Sequence, residues 1–146
     1  MRTWPTLAAA VAALAAVAWI FRPDGQATAP APAAGSDQAG TPRLLAQVTV
    51  PVLEGAALRG EAAFNGYCAA CHGPNAAGLD GKGPPLVHKI YEPGHHGDDA
   101  IAVAAMNGAR AHHWRFGDMP PVAGITRAEI ADIIAYIRTL QRANGI

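Results

Sequence analysis

Residues 67–86, YCAACHGPNAAGLDGKGPPL, hold both cysteines of the chain, Cys68 and Cys71, with His72 directly behind the second. Three chemistries use thiols paired this closely. Structural zinc takes about four ligands, commonly two thiol pairs or one pair with two histidines, and no second thiol pair exists here. Thiol–disulfide exchange uses C-x-x-C near a βαβ unit, and a purely structural disulfide over so short a loop gains little chain entropy. Covalent haem attachment uses C-x-x-C-H. Two thiols one helical turn apart reach the two vinyl groups of the porphyrin, and the imidazole of His72 turns toward the iron. The run fits this third use best, and the surrounding chain bears on the choice.

Upstream, residues 4–21 form an uncharged, Ala/Val/Leu-rich stretch of eighteen residues between Arg2 and Arg22. A membrane-crossing helix needs about 20 apolar residues, with a range of roughly 17–25. A cleaved export signal is the rival reading, with an apolar core of about 7–15 residues. Ala27-Thr28-Ala29 offers small residues for cleavage, but Pro30 would follow the cut. Trp19, Ile20 and Phe21 suit a membrane interface. Residues 1–22 are therefore expected to be a retained anchor. The domain then lies on the periplasmic side of the cytoplasmic membrane, or is soluble there if the segment is removed.

Residues 23–51 are expected to be a linker. Thirteen of the twenty positions from 23 to 42 are Pro, Ala or Gly, a composition that stays extended and builds no core. The remaining residues, 52–146, form the candidate domain, with eight Lys/Arg against nine Asp/Glu. That balance excludes a nucleic-acid partner, which requires a basic face.

Within the domain the apolar periodicity is helical throughout, so the fold class is all-α. Residues 54–67 space Leu58, Ala62 and Phe64 along a helix that runs into Cys68. Residues 73–93, rich in Gly and Pro, read as irregular loop. Asp98 or Asp99 caps a helix that continues to Asn107 and stops at Gly108. Residues 111–124 are irregular again. Thr126 and Glu129 make a capping box, followed by a stripe of Ile130, Ile133, Ile134, Ile137 and Leu140 and a stop at Asn144-Gly145. Such long loops in so small a domain suggest that something other than side chains fills its interior.

A low-spin haem takes a second axial ligand, and a thioether opposite histidine raises the potential. Met106 falls within the middle helix, where methionine ordinarily packs a core. Met119 lies in FGDMPPV, a loop stiffened by Pro120 and Pro121, and is the favoured ligand. His88, His95, His96, His112 and His113 are competitors for the iron. The two adjacent pairs among them also suit copper or zinc.

The domain resembles class I cytochrome c. Gly60, Phe64 and Cys68 at four-residue steps look like that family's first helix, and Tyr136 in IIAYIRTL looks like the aromatic of its last helix. Gly83-Pro84-Pro85-Leu86, with Pro84 twelve residues after His72, resembles its G-P-x-L turn, and GDMPP resembles its methionine loop. The resemblance implies three to five helices around one covalent haem c held by Cys68 and Cys71. It places His72 and Met119 on the iron, the Pro84 carbonyl on the His72 N–H, and Leu86 against the haem. Trp114 and Arg115 would meet the propionates. No family role matches the paired histidines, and the near-neutral surface lacks the lysine ring of the mitochondrial carriers.

The expected function is single-electron transfer between protein partners. It needs no catalytic acid, base or nucleophile, and the chain is expected to be a carrier or a subunit of a redox complex. A haem-based sensor of small ligands, a peroxidase, or a copper-handling module using the paired histidines are the alternatives.

Overall fold

The computed structural model describes residues 42–146. The expected membrane anchor, and the linker as far as residue 41, lie outside the described residues. Among these residues four α-helices follow one another: α1 Gly55–Tyr67, α2 Ala69–His72, α3 Asp98–Asn107 and α4 Arg127–Ala143. Short 3₁₀ turns at Pro74–Ala76 and Lys89–Tyr91 punctuate the loop between α2 and α3. Among the described residues there are no strands, only isolated bridges, and no helix is long and apolar enough to cross a membrane.

α4 forms where the sequence places it. The Thr126 hydroxyl accepts from the Glu129 N–H at 3.2 Å, and the Glu129 carboxylate accepts from the Thr126 N–H at 2.8 Å. Both orphan donors of the helix start are thereby satisfied. Ile130, Ile133, Ile137 and Leu140 are buried, while Ile134 lies at the edge of the stripe and is half-buried.

α1 and α4 cross at Gly60, and beside the crossing the Phe64 and Tyr136 rings sit tilted, 5.5 Å apart. This contact, with Ala76, Val87, Ile133, Ile137 and Leu140, is the core. The buried face of α1 is Ala57, Gly60 and Phe64. That corrects the expected stripe, because Leu58 is 53 % exposed and Ala62 is also exposed. The close approach at Gly60, rather than the larger side chains, decides which face turns inward.

Two other boundaries differ from the sequence reading. The N-cap of α3 is Gly97, and no side chain caps it. Asp98 instead spends its carboxylate on Arg138, at 2.7 Å. Residues 43–49, assigned to the linker by composition, lie along the domain. Ala46 N–H donates to the Ala77 carbonyl at 2.9 Å, and Asn144 exchanges two 2.9 Å hydrogen bonds with the Thr49 backbone. Val48 packs against the core, and this apolar contact outweighs the extended tendency of the sequence before it.

Candidate functional site

A cavity of about 410 Å³ lies between α4, α3 and the loops, walled by Ile101, Ile130, Ile133 and Ile137 on its helical side. The stripe of α4 thus has two tasks, since the residues that meet α1 also line this space. Cys68, His72, Pro84, Leu86, Trp114 and Met119 all border it. These residues come from three separate stretches of chain, and folding brings them to one cavity. Cys71 is exposed and stands off the cavity wall, and Met106 and His88 do not line it.

His72 ends the short helix α2, which begins directly after Cys68, so the motif is wound as one helical turn. The imidazole is 8 % exposed, and its Nδ1–H donates to the Pro84 carbonyl at 2.9 Å. A neutral imidazole carries one proton, so this bond leaves the Nε2 lone pair free as a metal ligand. Burial pulls the pKa of His72 below the usual value, with the Pro84 carbonyl opposing, and the ring stays neutral. The turn holding Pro84 is tight: a Cβ on Gly83 would stand 2.7 Å from the Cys71 carbonyl.

Burial pushes the Cys68 thiol up to about 11, and the neighbouring Cys71 adds to the rise. Nucleophilic cysteines of exchange proteins have depressed pKa values. A thiol kept protonated in a mostly apolar wall is therefore ill suited to disulfide exchange. Among the described residues no cluster with metal-ligand spacing includes either thiol, so a closed zinc site is also poorly served.

Met119 is fixed through its backbone. Ala109 and Met119 exchange hydrogen bonds of 2.9 and 2.8 Å, which ties the methionine to the end of α3. Asp118 accepts from the Ala111 N–H at 2.8 Å and closes the intervening loop, and Val122 N–H reaches the Ala105 carbonyl at 2.9 Å. Gly108 carries φ of +78°, and a Cβ there would meet the Met119 carbonyl at 2.5 Å. A loop fixed at both ends thus presents the thioether with little ordering cost.

Trp114 stacks on Phe116 with centroids 5.9 Å apart and takes the edge of His88. Its buried indole N–H makes no well-formed hydrogen bond among the described residues, although the Tyr91 hydroxyl lies near enough to feel it. A buried unpaired donor is costly, and here it borders the cavity. An apolar space bordered by the Cys68 thiol, a neutral imidazole, a thioether and an indole N–H, with the second thiol one turn away, fits a haem. Arg115 is exposed and does not line the space.

His96, His112 and His113 also border the cavity, and His95 stands beside them. Loss of hydration and then the neighbouring His112, His95 and His96 rings keep His113 below the ordinary imidazole pKa.

One part of the site was not foreseen. Arg138, on α4, is buried and donates to Tyr91 O at 2.7 Å, to the Gln141 side chain at 2.6 Å and to the His96 carbonyl. Gln141, 1 % exposed, donates to the Leu86 and Tyr91 carbonyls, each at 2.9 Å. Together they tie the loop between α2 and α3 to the last helix. A cation directly after Ile137, inside an apolar stripe, was the available signal.

Residues 57–141, more than half of the chain, match the family model for cytochrome c. No curated protein matches the chain.

Proposed function

Since the chain belongs to the cytochrome c family, carrying one covalent haem c for electron transfer, we propose that it is a class I carrier with His72 and Met119 as axial ligands. Cys68 and Cys71 hold the haem by thioether bonds. The observation that carries this reading is the convergence of Cys68, His72 and Met119 on one apolar cavity, with the His72 N–H engaged by Pro84.

When bound, the haem supplies an iron that cycles between ferric and ferrous, one electron at a time. The chain's own residues do the rest. Pro84 orients His72 and raises its basicity. The pinned loop from Ala109 to Val122 presents the Met119 sulfur in either state, so little rearranges on electron transfer. Ile101, Ile130, Ile133 and Ile137 keep water from the cavity. The Trp114 N–H at the cavity edge would be available to an acidic group of the haem.

Residues 4–21 anchor the protein in the cytoplasmic membrane, with the domain on the periplasmic side, where it serves a redox donor and acceptor as a free carrier or a complex subunit. The eighteen uncharged residues support this, and N-terminal sequencing of the native membrane-fraction protein checks it. Potentiometric titration of the purified protein tests the carrier reading: one reversible one-electron couple is expected, with no spectral change when CO meets the ferrous form. Prompt CO binding would mean an open iron site, and a sensor or peroxidase in place of the carrier.

A further inference from the structure

The four histidines of the pairs, separated by more than a dozen residues in sequence, are gathered into one cluster by the fold. Ring nitrogens of His95, His96 and His113 all lie within 4.8 Å of one another. His95 Nε2 is 3.2 Å from His113 Nε2, and His96 Nε2 is 3.4 Å from His112 Nε2.

The protons decide what this means. His96 Nδ1–H donates to the Ile90 carbonyl at 2.7 Å, and His112 Nδ1–H donates to the Arg110 carbonyl at 2.8 Å. Carbonyls cannot donate, so in each ring the proton sits on Nδ1 and the neutral imidazole leaves Nε2 bare. With both rings neutral, two lone pairs then face each other across 3.4 Å. A cation between the rings turns that repulsion into ligation. Tetrahedral zinc with metal–nitrogen bonds of about 2.0–2.1 Å sets ligand nitrogens roughly 3.3–3.4 Å apart, close to the 3.2 and 3.4 Å of the two pairs. A backbone carbonyl behind the ring, as at His96 and His112, is also the usual means of fixing a metal-binding histidine.

The loops that present the rings are held. Arg138 grips the His96 carbonyl from α4, and the pairing of Ala109 with Met119 anchors the start of the segment bearing His112 and His113. His95 and His113 are exposed, so an ion can enter from solvent. No thiol or carboxylate of the described residues belongs to the cluster, and an all-imidazole set favours late first-row ions over magnesium or calcium.

We propose that His95, His96 and His113, with His112 beside them, form a second metal site, distinct from the haem iron, that takes one divalent late transition ion of the Zn²⁺ or Cu²⁺ class.

Isothermal titration of Zn²⁺ into the untagged, haem-loaded protein tests this. One saturable equivalent per chain is expected. His95→Ala and His113→Ala, both at exposed positions, should each weaken binding at least tenfold, and His95→Ala, off the cavity wall, should leave the haem absorption spectrum that of the wild type. Electron paramagnetic resonance of one added equivalent of Cu²⁺ should show several nitrogen ligands in the wild type and fewer in either variant. Absence of saturable binding overturns the proposal, as does binding that both substitutions leave unchanged. A changed haem spectrum in His95→Ala also overturns it, because the cluster would then belong to the iron.

Discussion

Gly60 of α1 lies so close beneath Asp132 of α4 that a Cβ on the glycine would stand 1.9 Å from the Asp132 carbonyl oxygen and 2.9 Å from the Tyr136 Cβ. Neither backbone can yield without parting the helices. Gly60→Ala should therefore cost about 3 kcal/mol, at the upper end for overpacking, seen as a lower denaturant midpoint. Gly66, in the same helix, has nothing within 4 Å of its hypothetical Cβ. Gly66→Ala should stabilise by about 0.5–1 kcal/mol through helix propensity. Equal effects at the two sites would contradict a close crossing at Gly60.

Arg138 serves the Asp98 carboxylate, the Gln141 side chain and two loop carbonyls from a buried position. Arg138→Met keeps much of the volume and removes every donor, so it should destabilise by about 3 kcal/mol, as for loss of one partner from a buried ionic network. Urea unfolding measures it, with an unchanged slope expected if only stability is affected. A loss below about 1 kcal/mol would mean that the network acts as a surface pair.

The Tyr136 hydroxyl is held up to about 12 by burial, with Glu61 adding repulsion, whereas an unfolded phenol titrates near 10. The folded state thus retains the proton longer. That stabilisation is complete below about pH 10 and is lost as pH rises toward about 12. Tyr136→Phe keeps the ring against Phe64 and gives up one 3.4 Å hydrogen bond to Asn75. Its stability should decline less steeply than the wild type's across that window, followed by circular dichroism. Parallel declines would place the phenol in contact with water.

Cys68 borders the cavity and Cys71 is exposed, one turn away. Each single substitution, Cys68→Ala or Cys71→Ala, should leave the haem attached through one thioether, so that colour stays with the polypeptide in acid acetone. The double variant should release it into the solvent. Colour retained by the double variant would exclude attachment at these thiols.

The parts of the fold visible in the sequence are those set by local chemistry. The capping box and stripe of α4 need only neighbouring residues, and Cys68, His72 and Pro84 stand at spacings fixed by one turn of helix and one tight loop. What escaped reading depends on distant partners. Leu58 looks like a core residue until Gly60 turns it outward, and Asp98 looks like a cap until Arg138 claims it. The backbone pairing of Ala109 with Met119 leaves no side-chain signature at all. Thr49 meets Asn144 across nearly the whole domain, and no pattern within residues 43–49 announces it.

The central claim is that Met119 completes the iron's coordination. Near-infrared absorption of the ferric protein, compared between wild type and Met119→Ala, tests it most directly. The account predicts a weak sulfur-to-iron band in the wild type that Met119→Ala abolishes and Met106→Leu leaves intact. The reduction potential should fall in the first variant alone, since thioether ligation favours the ferrous state. A band that survives Met119→Ala, or a wild type that lacks it while His112→Ala or His113→Ala changes the spectrum, would contradict the account.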